Sequence, residues 1–324
     1  MIRKTFITVA IILLCSMMSA QTVTFRFQEG TLSDASLREK MEERISCLLS
    51  EITQASKANR PLSLDSLSLS PKASKRLSML WENLHFSCDD TEIIEKCLQD
   101  INGYEVRSIF VTLQPTADGY VGELERELVI GFDTDGQITG VRMAMGDDTY
   151  LTIQNRSIDA DDFRKRLEIL RFLEDYRSYY EEKNIEALHD DIYNENAGFC
   201  TSRSHIDGDK NQDLSEFKIK IEKFDTKEVI SRLTKAFANN KYVTVKFDQI
   251  HIMRHVAKRG FYVVRFHQEL SCGEYPNNGY MFMIWELREG RSPALHIRAW
   301  QPEIIDGHRL TPDELINENV FSIP

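Results

Sequence analysis

The chain has 324 residues and a formal charge of −11, from 40 Lys and Arg against 51 Asp and Glu. An acidic surface repels nucleic-acid phosphates and anionic lipid headgroups, so both are excluded as expected partners. No apolar run after the first residues approaches the roughly 20 residues that span a bilayer, so no integral membrane segment is expected in the mature protein.

The amino terminus sets the expected compartment. Arg3 and Lys4 precede an almost wholly apolar run from Thr5 to Cys15, and Ala20 stands just before the composition turns polar at Gln21. This is the layout of a secretory signal peptide, which predicts cleavage near Ala20 and a periplasmic or secreted product. Removal of residues 1–20 takes the charge from −11 to −13 and leaves 304 residues (324 minus 20), comfortable for two domains.

Five cysteines then remain: Cys47, Cys88, Cys97, Cys200 and Cys272. An odd number without CxxC spacing leaves at least one thiol free, and a disulfide scaffold is not expected. Cys200 with Cys272 is the pair to test first.

In chain order, Ser36 and Glu39 have capping-box spacing, and Leu37, Met41, Ile45, Leu48 and Ile52 form one helical stripe. A Ser/Pro-rich connector spans 56–72, and a short helix is predicted over 75–84. A helix is expected over Asp89–Asn102, with Ile93, Cys97 and Ile101 as its stripe and Asn102-Gly103 as its stop. Strands follow at 104–113, 119–132 and 137–145, separated by Pro/Gly and Asp/Gly turns.

The second half takes up the same order. A long helix is predicted over 161–183, with an apolar arc so broad that it implies burial on more than one side. A short helix near 184–193 follows. Asp225 and Glu228 repeat the cap spacing, Val229, Leu233 and Phe237 repeat the stripe, and strands are predicted at 242–253, 261–270, 280–288 and 294–301. The matching offset, about 136 to 138 residues, suggests a duplicated domain. The expected divisions are a signal peptide over 1–20, a first domain over 21–150, a second over 151–302 and a tail over 303–324 with a helix capped by Thr311 before Pro312.

Helices followed by an antiparallel meander make an α+β fold. This order, clearest in Asp161–Tyr193 and in the last strand, His296-Ile-Arg-Ala-Trp-Gln-Pro302, resembles the nuclear-transport-factor-2-like (ketosteroid-isomerase-like) superfamily. The resemblance implies two tandem cone-like domains, each with N-terminal helices packed on a curved antiparallel sheet. It also implies that an enzymatic member would pair a carboxylate with a tyrosine inside the cone, for which Asp190 or Asp191 with Tyr176, Tyr179 or Tyr180 are the candidates. The simpler reading is that the tyrosine rings fill the core while the aspartates face solvent.

Strand parity supplies the main binding candidates. Alternate residues place Arg265 and His267, Glu286, and Arg298 and Trp300 on one face of three successive strands, opposite a largely apolar face. Aromatic and charged residues together suit an interface centre. Asp207, Asp209, Asn211 and Asp213 are spaced like the start of a calcium loop, yet Gln212 replaces the required glycine and Lys218 the bidentate glutamate. The histidines show no zinc spacing, so no metal and no cofactor is expected. The expected function is an exported, non-enzymatic binding or interaction protein with a protein or small-ligand partner, and a homodimer as one possible assembly. The alternative is a small-molecule carrier or isomerase/dehydratase-like enzyme with a pocket inside the second cone.

Overall fold

A computed structural model describes residues 22–100, 102–193, 198–204, 219–223, 226–272, 277–289, 293–305, 307–318 and 321. The expected signal peptide, the calcium-loop candidates Asp207, Asp209, Asn211 and Asp213, and the expected cap Asp225 lie outside the described residues. Two compact units form: Met1–Gln114 with Leu124–Val141, and Pro115–Glu123 with Arg142–Pro324. The architecture is α+β, with helices ahead of curled antiparallel sheets.

The first unit opens with strand β1 (Thr24–Phe27) and helix α1 (Ala35–Lys57). The cap of α1 is Asp34 rather than Ser36: its carboxylate accepts the Leu37 N–H at 2.9 Å, and an anion at a helix start is favoured by the helix dipole. Three residues spaced by four on α1 take up the N–H groups of β1. Ser50 and Ser46 Oγ accept from Val23 and Phe25 at 2.9 Å each, and the Glu42 carboxylate accepts from Phe27 at 2.8 Å. A helix face thereby satisfies one edge of a strand, so β1 is not left open for pairing with another chain.

Helix α2 (Pro71–Asn83) runs directly into β2 (Leu84–Ser87). The helix expected over 89–102 is absent; β3 (Glu92–Glu95) pairs in parallel with β1, and β4 (Leu98–Asp100) pairs with the next strand. Ile93 and Cys97 are four positions apart, an even number that satisfies the two-residue period of a strand as well as a helical turn. The β-branched pair Ile93-Ile94 then favours the strand. The sheet is completed by β5 (Gly103–Pro115), β6 (Glu125–Asp133) and β7 (Ile138–Met143), in the order β2-β5-β6-β7 with β4 beside β5. With the 89–102 helix gone, the strongest element of the proposed internal repeat is lost from the first unit.

The second unit holds α3 (Asp147–Arg156), the long α4 (Ala160–Glu181) and a short α5 (Ile185–Ala187) that continues as a π-helical turn over Leu188–Ile192. Asp159 caps α4 by accepting the Asp162 N–H at 2.7 Å. The breadth of the α4 arc is explained by its burial: Leu170, Leu173, Tyr176, Tyr179 and Tyr180 are all inside, and so are Asp162, Arg166 and Glu174. Then come β8 (Gly198–Ser204), β9 (Ile219–Lys223), α6 (Thr226–Asn239), β10 (Thr244–Arg254), β11 (Phe261–Ser271), β12 (Asn277–Glu286) and β13 (Ala294–Pro302).

The sheet order is β10-β11-β12-β13-β8-β9, antiparallel except where β8 lies parallel to β13. One face packs on α4 to α6 through Tyr262, Val264, Phe266, Met281, Met283 and Trp285. The other face is not bare. Phe261, Val263, Phe282, Ile284, Ile297 and Ala299 form a second apolar cluster, closed by Ile316 and Phe321 of the C-terminal segment. The Gln301 amide fixes that segment, donating to Glu314 O and accepting from Ile316 N at 2.9 Å each.

Candidate functional site

The interior of the second unit is built on four polar side chains among aromatic rings. Tyr176 and Tyr180 lie one turn apart on α4, and Tyr193 follows the π-helical turn. Arg298 on β13 donates to the Tyr176 hydroxyl at 2.6 Å and lies over the Tyr193 ring at 4.7 Å; Tyr180 and Tyr193 share a hydrogen bond of 2.7 Å. Burial pushes the hydroxyls of Tyr180 and Tyr193 well up, so both stay protonated. Phe172 packs against Trp285 at 4.3 Å, and Tyr176 against Phe247 at 5.4 Å. Aromatic side chains thus pack through the interior of the second unit.

Of the catalytic candidates, Asp191 and Tyr179 are brought together, while Asp190 and Tyr176 bond other groups. Asp191 accepts the hydroxyl of Tyr179 at 2.6 Å, not that of Tyr176. Asp190 pairs with His189 at 2.7 Å, and both are exposed. Tyr176 is wholly buried against Arg298.

The five binding candidates are divided between two faces. The register of β12 and β13 shifts between Ile284 and Trp285, so that His296 is an extra residue on β13. A bulge of one residue moves every later side chain to the opposite face. Arg298 and Trp300 consequently stand opposite Met283 and Met281, on the helix side, while Ile297 and Ala299 turn outward. Arg265, His267 and Glu286 keep the outer face. Arg265 bonds Glu318 of the C-terminal segment at 3.3 Å, and Glu286 bonds His296 at 2.8 Å. The single mixed face expected from strand parity is thus not formed.

A separate cleft of about 830 Å³ opens at the start of α4, bounded by the turn between β10 and β11 and by the residues after β12. Lys165, Arg254, Lys258, Arg259 and Arg288 line it, with Asp159, Asp161 and Glu289 as the opposing carboxylates. Two of those carboxylates are engaged: Asp161 by Lys165 and Arg164 at 2.6 Å each, and Asp159 by Arg254 at 3.3 Å. His255 Nδ1 accepts from the Ala257 and Lys258 amides at 3.1 and 3.2 Å, which leaves Nε2 to carry the ring proton and act as a donor.

Behind the cleft wall lies Asp162, wholly buried. Burial by itself would raise its pKa, but hydrogen bonds from Arg166 at 2.8 Å, Tyr262 at 2.8 Å and Arg254 at 2.9 Å outweigh that and hold it at about 2. Residue pattern gave no sign of this cleft, because its cations come from a helix start, a hairpin turn and a strand end. Among the described residues, Asp248, His267 and Glu269 bring ligand atoms within 4.8 Å of one another, a grouping that could hold a metal. Of these, the sequence singled out His267 for binding, and weighed it for zinc only beside His296, not with Asp248 or Glu269.

Among the described residues, no helix is long and apolar enough to cross a membrane. No protein-family model matches the chain, and no curated protein sequence does. Among solved structures it is similar to an NTF-2-like protein of unknown function from Shewanella oneidensis MR-1, at 11% identity over 42% of this chain and 98% of that one, with a TM-score of 0.29. It is also similar to ActVI-ORFA from Streptomyces coelicolor, at 10% identity over 43% and 98% of the two chains, with a TM-score of 0.29. A third is naphthalene 1,2-dioxygenase with indole bound, at 12% identity over 48% and 95%, with a TM-score of 0.33. Likenesses at this level bring no chemistry with them.

Proposed function

We propose that the protein is an exported, non-enzymatic binding module that holds a small polyvalent anion in the cleft at the start of α4. The observation that carries the reading is charge: five cationic side chains line the cleft on a chain of net charge −11, and while Lys165, Arg254 and Arg288 pair with Asp161, with Asp159 and Asp162, and with Glu286, the turn adds Lys258 and Arg259. Lys258 and Arg259 sit side by side in the hairpin turn, an ammonium and an exposed guanidinium that suit a carboxylate or phosphate ligand. The charge layout of residues 1–20 supports export.

Binding is favoured over catalysis because Asp161 in the cleft, paired with Lys165 and Arg164, and Asp162 behind its wall are both held below the ordinary carboxylate range and are poor bases. Asp162, held at about 2 and saturated by donors, has little affinity for a proton near neutral pH. The test is titration calorimetry with citrate and with pyrophosphate, at low and at raised salt. Binding that weakens with salt, and weakens at least ~10-fold in Lys258→Glu with Arg259→Glu, is the expected result. Affinity weaker than millimolar for both anions, or unchanged affinity in the folded double variant, overturns the proposal.

A further inference from the structure

We infer that Asp248, His267 and Glu269 form a divalent-metal site on the outer face of the β10–β11 ladder, with Glu303 as the carboxylate that orients the histidine. This rests on a different part of the second unit from the anion cleft. Asp248 and His267 are direct cross-strand partners, and Glu269 follows His267 by two residues, on the same face. The ladder is interrupted immediately after Asp248, and Gln249 takes a φ of +51° at that break. Bulges of this kind re-aim side chains, and here the break ends regular pairing at the residue that meets the histidine.

The separations suit coordination. His267 Nδ1 lies 3.1 Å from Asp248 Oδ1 and 4.0 Å from Glu269 Oε1. Ligands at about 2.0–2.1 Å around a tetrahedral ion are separated by roughly 3.3 Å, so small side-chain rotations close the set. His267 is only 7% exposed, and its Nε2 has no hydrogen-bond partner. That nitrogen faces Glu303 Oε2 at 4.0 Å. With the ion on Nδ1, the ring proton sits on Nε2 and points to the Glu303 carboxylate, the carboxylate–histidine–metal arrangement that fixes tautomer and ring orientation.

Charge also calls for a cation. One imidazole carries at most one positive charge, whereas Asp248, Glu269 and Glu303 carry three negative ones. The neighbouring basic groups are engaged elsewhere or offset one carboxylate only: Lys246, opposite Glu269 in the ladder, forms an exposed ion pair with Glu123 at 3.6 Å, Arg265 bonds Glu318 at 3.3 Å, and Arg309 pairs with Glu303. A divalent ion neutralises Asp248 and Glu269 together. Their side chains are 35% and 48% exposed, so water completes the coordination sphere. Two carboxylates and one imidazole suit zinc or manganese, and zinc binds the more tightly to such a set.

The experiment is zinc titration of the folded full chain, followed by cobalt(II) substitution and its visible spectrum. One equivalent should bind, raise the melting temperature, and give a cobalt spectrum without a thiolate charge-transfer band. Asp248→Asn with Glu269→Gln, at partly exposed positions, should keep the native circular dichroism and weaken binding at least ~10-fold; Glu303→Gln should weaken it by about 10-fold. Unchanged zinc affinity in the double variant, a thiolate band, or affinity no tighter than millimolar overturns the proposal.

Discussion

The Arg298 guanidinium reaches across the core of the second unit to donate to the Tyr176 hydroxyl, 122 residues earlier in the chain, at 2.6 Å. A buried cation is held there by a phenol and by the face of a second ring, that of Tyr193.

Tyr176→Phe removes the acceptor while leaving the ring, and so strands part of a buried charge. A loss of about 2–3 kcal/mol is expected by urea denaturation. Arg298→Met alone should cost a similar amount, and the double variant should cost less than the sum of the two. Strict additivity in that cycle would show that the pair does not interact.

Asp162 gives the second unit an acid limit with a defined sign. Its folded-state pKa of about 2 lies below the ordinary carboxylate value, so its contribution is fully present above about pH 4 and is lost as pH falls through about 2. That contribution is on the order of 2 kcal/mol. Asp162→Asn should therefore lie well below the wild type in urea midpoint at pH 7, with the gap closing toward pH 2. A gap independent of pH would contradict the assignment.

Thiol reactivity separates the cysteines. Cys47 is exposed, while burial pushes the Cys88 thiol up to about 12 and the Cys97 thiol up to about 11. Maleimide at pH 8 should label Cys47 in the folded protein and reach Cys88 and Cys97 only after unfolding. Cys272, which with Cys200 made the first pair to test for a bridge, is a free thiol that accepts from the Asn240 amide at 3.3 Å. Peptide mapping without reduction should find no Cys200–Cys272 bridge.

The sequence by itself determined the helix α4, its breadth of burial and the presence of the four strands after α6, because each is an apolar-rich segment bounded by its own turn residues. It also pointed to the likeness in element order. It misplaced residues 89–102, where a spacing of four satisfies helix and strand alike and only pairing with β1 and β5 decides. Tertiary structure alone decided which face each candidate occupies. Parity along β13 is broken by one extra residue, His296, a local shift that carries no composition signal yet turns Arg298 and Trp300 into the core. The same holds for the cleft and for the Asp248–His267–Glu269 group: their members lie on different elements, and cross-strand register and chain reversal, not spacing along the chain, bring the charges together.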